Sequence, residues 1–275
     1  MKSRSKDEEF PMKFRILRLW VGLSLALASA SLTLVFASSL DLQSYFSPKG
    51  GTQEAIIRTI LAAEKTIDIA MYSFSSDRIL DTFRRLKKER PAVRIRMILN
   101  DADNEVPKEE GDKAQAERAR EIERAAIDIR YVTRGNERIM HEKFMIVDGI
   151  ILLNGSGNFS NSSDSRYDEN MIEHRDDEEI LSLFQEEFDL MWNLSYDFPD
   201  GSRFREEEIE RARARKDANV VPYFTSANFD PAYTFPRNGE RVVSGALERA
   251  IESAKSSIYV ATGHFRLMLL ANALI

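Results

Sequence analysis

The stretch Ile139–Ser160, IMHEKFMIVDGIILLNGSGNFS, reads as two apolar strands joined at Asp148-Gly149. Asp-Gly between alternating apolar runs is a hairpin signal. Residues two apart share a face of a strand, so His141 and Lys143 point one way and Glu142, Phe144 and Ile146 the other. The return strand, Ile150–Asn154, ends in Gly155-Ser156-Gly157-Asn158. A hairpin brings Asn158 and the Gly155–Gly157 amides back towards His141. One imidazole, one ammonium, one side-chain amide and several backbone N–H groups then converge. That set suits a phosphate, with donors for its oxygens and a nitrogen nucleophile beside them.

Outward from the hairpin, the chain alternates helical and strand patterns. Thr52–Lys65 has Ala55, Ile56, Ile60 and Ala63 at helical spacing. Thr66–Phe74 and Val93–Asn100 read as strands. Between them, Ser76 or Asp77 opens a helix as its N-cap. Glu109–Ala126 is a highly charged helix, Ile127–Val132 a strand, Asp168–Arg175 a strand and Asp177–Leu194 an amphipathic helix. The class expected is α/β, a mixed β-sheet flanked by helices.

The 275 residues are 43% hydrophobic and 31% charged, an ordinary globular balance. The net charge of −6 argues against a protein built to coat nucleic acid, although Arg130, Arg134 and Arg138 cluster near the hairpin. Without cysteine there is no disulfide, thiolate nucleophile or Cys-based zinc site. His141, His174 and His264 lack metal-ligand spacing, and the loop from Asp101 has Val106 where a calcium loop needs glycine. No metal and no cofactor are expected. The Asn158-Phe159-Ser160 sequon is incidental, because a glycan there would bury the site.

Leu19–Ala37 carries no charge, follows Lys13, Arg15 and Arg18, and leads into Phe36-Ala37-Ser38-Ser39. This is the pattern of a secretory signal; its length also suits an uncleaved membrane anchor. Met12 is the expected start, with residues 1–11 an upstream extension. Either reading exports the rest of the chain, to the periplasm, the medium or the outer face of a membrane anchored through residues 19–37. The expected domains are 1–40, signal or anchor; 44–198, the domain carrying the hairpin; 200–219, a charged helix or linker; and 220–275, the start of a second unit. In that last segment Ala254–Phe265 mirrors Ala63–Phe74, strand for strand, with Leu247 and Ile251 matching Ile56 and Ile60. On this repeat reading, a second copy of His141 would fall beyond Ile275.

His141-x-Lys143, four residues, Asp148, six residues, then Gly155-Ser156-x-Asn158 resembles the HKD signature of the phospholipase D superfamily, with each residue and gap in place. The resemblance runs over Tyr45–Trp192. It implies the phospholipase D-like fold and metal-free phosphodiester chemistry. His141 would attack phosphorus to give a phosphohistidine, while a second HKD histidine protonates the leaving oxygen and then activates water or an alcohol. Lys143 and Asn158 would hold the phosphoryl oxygens, with Ser156 adding a hydrogen bond. Glu169 matches the carboxylate that orients the histidine. Asp148 would serve structure, and Gly155 and Gly157 would shape the loop. The second histidine would come from a homodimer or from a second repeat. A phospholipid head group is the leading substrate. A homodimeric nuclease and an inactive membrane-anchored module are the alternatives.

Overall fold

The computed structural model describes residues 41–100, 110–131, 139–197, 220–225 and 242–275. The expected signal or anchor, the Asp101 loop and the 200–219 segment lie outside these residues. Among those described, no helix is long and apolar enough to cross a membrane.

Eight strands form one sheet in the order β1-β7-β6-β5-β2-β3-β4-β8. They are β1 (Asp41–Phe46), β2 (Thr66–Met71), β3 (Arg94–Leu99), β4 (Asp128–Tyr131), β5 (Lys143–Val147), β6 (Ile151–Gly155), β7 (Asn170–Arg175) and β8 (Tyr196–Asp197). β2, β3 and β4 are parallel, and the other pairings are antiparallel. Parallel neighbours need a crossover, and two helices supply it: α2 (Asp77–Glu89) and α3 (Glu110–Arg124). The Ser76 hydroxyl caps α2 by accepting the Ile79 N–H. α1 (Thr52–Ala62) precedes β2, the short α4 (Asn161–Ser165) follows β6, and α5 (Glu178–Leu194) follows β7.

Both faces of the central strands are covered, which explains their nearly continuous apolar runs. Met145 and Val147 join Ile67, Ile69, Met97 and Leu153 in a core beneath Ile56, Ile60, Leu80 and Phe83 of α1 and α2. Phe144 and Ile146 face the opposite way, with Ala70, Ile98 and Leu152, against Phe184, Phe188 and Trp192 of α5. The strict alternation along β5 decides which side each residue serves. A polar set lies on the α5 face: Arg96 makes two hydrogen bonds to Asp68, at 2.8 and 2.6 Å, and one to Asp189 at 3.1 Å. Arg96 also lies over the rings of Phe188 and Trp192. Val220 and Phe224 pack on this second core.

Two features depart from the sequence reading. β1 was not legible as a strand; of its six residues only Tyr45 is buried, and pairing with β7 alone defines it. At the far end, the expected helix forms as α6 (Val242–Ser253), followed by α7 (Met268–Ala273), but Ser257–Thr262 forms no strand. Tyr259 is 94% exposed and Val260 57%. β-propensity yields a strand only where a partner edge exists, and this segment pairs with none of the eight strands.

Candidate active site

β5 lies between β2 and β6 at the middle of the sheet, and the hairpin expected from Asp148-Gly149 is present. Asp148 (φ 54°) and Gly149 (φ 70°) both occupy the left-handed region, and the Ile150 N–H donates to the Val147 carbonyl at 3.0 Å, so the turn closes over the three residues between the paired Val147 and Ile151. The Asp148 carboxylate accepts three backbone N–H groups, from Glu64 at 2.7 Å and from Lys65 and Thr66 at 2.8 Å. It therefore fastens the turn to the chain entering β2. It lies at the end of β5 away from His141.

His141 immediately precedes β5. The Tyr72 N–H donates to the Glu142 carbonyl at 3.0 Å, so the β2–β5 pairing extends one step past Met71–Lys143. Lys143 is 5% exposed, and its Nζ donates to the His141 carbonyl at 2.7 Å. Burial lowers its pKa to about 8, against the pull of Glu142 and Glu169. His141 is also pushed below its ordinary value, by desolvation and by the Lys143 ammonium, while Glu169 raises it. Near neutrality, then, the imidazole is uncharged and available as a nucleophile, and the ammonium beside it is mostly protonated. Burial pushes the Glu142 carboxyl upward on the other side of the strand.

The loop after β6 closes over this end. A side chain at Gly155 would put its Cβ 2.0 Å from the Asn170 carbonyl oxygen, so only glycine fits. Ser156 pins the loop to β7 twice, through its N–H to the Asn170 carbonyl and through its Oγ, which accepts the Asn170 N–H, both at 3.0 Å. Its oxygen is thus engaged in holding the loop. Gly157 leaves room for the Met171 side chain. Asn158 is held from both sides: its N–H donates to Ser163 Oγ at 3.0 Å, and Phe159 is fully buried against Phe74. The Phe159 carbonyl accepts N–H groups from Ser75 and Ser76. The Asn158 Oδ1 is buried without a hydrogen-bond partner. A buried polar atom of this kind has capacity for a partner that the described residues do not supply.

Glu169 reaches the site from the turn before β7. Ser47 clamps it: Ser47 Oγ donates to the Tyr167 carbonyl at 2.6 Å and accepts the Glu169 N–H at 3.0 Å. The Ser47 N–H donates to the Glu169 carbonyl at 3.0 Å. The Glu169 carboxylate acts on His141 and Lys143 through its charge. Among the described residues, no hydrogen bond joins it to the His141 ring.

Sequence reasoning missed two residues here. Ser47 was read only as part of a turn. Tyr72 was read only as the tail of a strand, yet its ring packs edge-on to the His141 ring with centroids 4.6 Å apart. A polar aromatic ending an otherwise aliphatic buried strand was the available signal. One expectation fails. Arg130, read as a phosphate contact beside the site, is 8% exposed on β4. Its Nη1 donates to the Trp192 carbonyl, and its guanidinium lies 3.9 Å from the centroid of the Trp192 ring. Closeness in sequence to His141 did not translate into closeness to its pocket, because β4 is separated from β5 by β3 and β2. Arg134 and Arg138 lie outside the described residues. His174 is buried on β7, and no group of three or more His, Asp or Glu among the described residues could hold a metal ion.

A family model described as "Cardiolipin synthase, PLD-like domain" matches residues 56–192, which include His141, Lys143, Asp148, Asn158 and Glu169. The mitochondrial cardiolipin hydrolase of Chlamydomonas reinhardtii is 30% identical over 133 residues, covering 48% of this chain and 54% of that protein. The human mitochondrial cardiolipin hydrolase is 28% identical over 137 residues, covering 50% and 49%. The chain thus spans about half the length of these two relatives. A phospholipase D of Rickettsia prowazekii (strain Madrid E) is 27% identical over 152 residues, covering 54% of this chain and 68% of that protein. Among solved structures, the phospholipase D family member Nuc from Salmonella typhimurium aligns with a TM-score of 0.49 at 24% identity, over 57% of this chain and 97% of that one. The family match over the stretch that carries the signature, together with the curated relatives that cover it, identifies this chain as a member of the phospholipase D superfamily.

Proposed function

We propose that this chain hydrolyses a phosphodiester through a covalent phosphohistidine on His141, and that the substrate is a phospholipid. The observation that carries the reading is an exposed imidazole beside a buried ammonium at one end of β5, with the Glu169 charge acting on both. In the first step a lone pair of the His141 ring attacks phosphorus. A nitrogen–phosphorus bond forms and the bond to the leaving alkoxide breaks. Lys143 and Asn158 hold the phosphoryl oxygens as negative charge gathers on them. The leaving oxygen takes its proton from a second imidazole, supplied by a second copy of this site. That imidazole then removes a proton from water, whose oxygen displaces the histidine and frees the phosphomonoester. Glu169 favours the positive charge that develops on the His141 ring.

Exposed apolar side chains support the lipid reading. Phe46 and Tyr167, 62% and 56% exposed, flank the Ser47 clamp on Glu169, and Ile139, 61% exposed, lies two residues before His141. Apolar groups left in water beside reacting groups suit a substrate with acyl chains. The nuclease reading loses the support of Arg130, which is committed to Trp192. The test is hydrolysis in EDTA, with release of phosphatidic acid from vesicles set against cleavage of plasmid DNA. Vesicle hydrolysis with an acid-labile phosphoprotein that His141→Asn removes is the expected result. DNA cleavage alone would replace the substrate. Activity that survives His141→Asn would end the mechanism, and the absence of any phosphoprotein would favour an inactive module.

A further inference from the structure

The His141 ring presents a difficulty. It is exposed, and among the described residues nothing hydrogen-bonds to it. A nucleophile left free to change rotamer spends much of its time misaimed, and misplacement of a reacting group is expensive in rate. Its one described ring contact is Tyr72. The same Tyr72 ring faces the Lys143 ammonium, with Nζ 5.1 Å from its centroid. We propose, resting on the hydrolase reading above, that Tyr72 is a positioning residue: one aromatic ring braces the nucleophilic imidazole and faces the ammonium that receives the phosphoryl oxygens.

The backbone places Tyr72 for this task. Its N–H is bonded to the Glu142 carbonyl, between the two residues it would position. The next residue, Ser73, accepts the Phe159 N–H through its carbonyl, and Phe74 packs on the Phe159 ring. The run Tyr72–Phe74 therefore joins the His141–Lys143 strand to the loop that carries Asn158. It ties the two halves of the site alongside the direct β5–β6 pairing.

The electrostatic consequence has a definite sign. The charged and titratable groups that act on Lys143 are His141 and Glu169, with the Tyr72 ring beside them, and Glu142 from the other side of the strand. The face of an aromatic ring is negative and favours the protonated amine. Burial has already brought Lys143 to about 8. Loss of the ring removes support for its charge, so the alkaline limb of the pH–rate profile moves to lower pH.

The experiment uses the full chain and bis(p-nitrophenyl) phosphate, a soluble diester that does not depend on a lipid surface. Tyr72→Leu is expected to lower kcat by about 10- to 10²-fold, with KM little changed, and to shift the alkaline limb downward. Tyr72→Phe keeps the ring and is expected to keep both kcat and the profile. Replacement by a ring-fluorinated phenylalanine preserves shape but drains the π face; it is expected to move the alkaline limb while holding kcat above that of Tyr72→Leu. This third variant answers the question if the leucine variant folds poorly. A second measurement needs no turnover. The chain has three histidines, and the His141 ring protons, displaced by the Tyr72 ring current, should return towards random-coil NMR positions in Tyr72→Leu. Unchanged His141 resonances, or a leucine variant with the wild-type rate and profile, would overturn the role of Tyr72. An inactive wild-type chain would sink the hydrolase reading alone, because the NMR measurement still decides the contact.

Discussion

The two ends of β5 carry one sequence signature and two opposite kinds of chemistry. At the turn end, Asp148 is satisfied: three backbone N–H groups converge on its carboxylate, and the left-handed turn beside it is closed with glycine. At the other end, Lys143 is a buried cation whose described hydrogen bond goes to a carbonyl rather than a carboxylate. Asn158 holds an orphaned oxygen, and no hydrogen bond among the described residues reaches the His141 ring. Satisfied polar groups hold a fold together, whereas unsatisfied ones persist where they have something to bind. The difference supports the proposed division, with Asp148 serving stability and His141, Lys143 and Asn158 serving function.

The largest effect expected from this contrast is at His141. His141→Asn removes the nucleophile and should lower turnover by roughly 10³-fold or more, with thermal unfolding unmoved because the ring is exposed and makes one aromatic contact. Measured together, kcat and Tm test both halves. A marked fall in Tm would break the division. Lys143→Met should come next, and with an opposite stability effect. It should cost about 10²- to 10³-fold in kcat and raise stability by about 1–3 kcal/mol near pH 7, the upper value following from a pKa held near 8 instead of 10.5. The sign is that of a base whose folded pKa is depressed. Below about 8 both states are protonated and the folded state carries the full penalty of the buried charge. Between 8 and 10.5 the folded lysine sheds its proton first, the penalty fades, and the wild type should close the gap on Lys143→Met. Denaturant unfolding at pH 7 and pH 10 checks this, and equal stabilities at pH 7 would count against a strained lysine. Asp148→Ala should do the reverse of both: a loss of about 2 kcal/mol in stability, read from denaturant midpoints, with kcat per folded molecule preserved.

Much of this contrast could be read from the chain before any coordinates. The alternation across Glu142–Val147 put Lys143 opposite Phe144 and Ile146, and both cores obey it. The Ser76 cap and the order of helices and strands followed from local pattern. What stayed hidden depended on contacts between distant segments. Asp41–Phe46 has no amphipathic signal and becomes a strand because β7 offers an edge. Ser257–Thr262 has the signal but no edge, and forms no strand. Arg130 looked like part of the site because it is near His141 in sequence, and the two strands that lie between β4 and β5 in the sheet cannot be seen in one dimension. The importance of Ser47 and Tyr72 arises from partners 122 and 69 positions away, Glu169 and His141.

The smallest expected effect separates charge from packing within the functional end. Glu169 raises the pKa of His141 and that of Lys143. Glu169→Gln keeps the shape and the Ser47 clamp on its backbone but removes that charge. His141 then falls further below its ordinary value, so the acid limb of the pH–rate profile, where the nucleophile must lose its proton, moves to lower pH. Lys143 loses the same support, so the alkaline limb, where the ammonium must keep its proton, moves in the same direction. The bell slides towards acid with its width nearly kept. Tyr72→Leu should move the alkaline limb much more than the acid one and so narrow the bell, and Asp148→Ala should move neither. Three profiles on one soluble diester therefore distinguish a carboxylate acting on both groups, a ring facing the ammonium, and a turn that only holds the strand. A glutamine variant whose limbs move apart, or stay fixed, would show that Glu169 acts on the imidazole by something other than its charge.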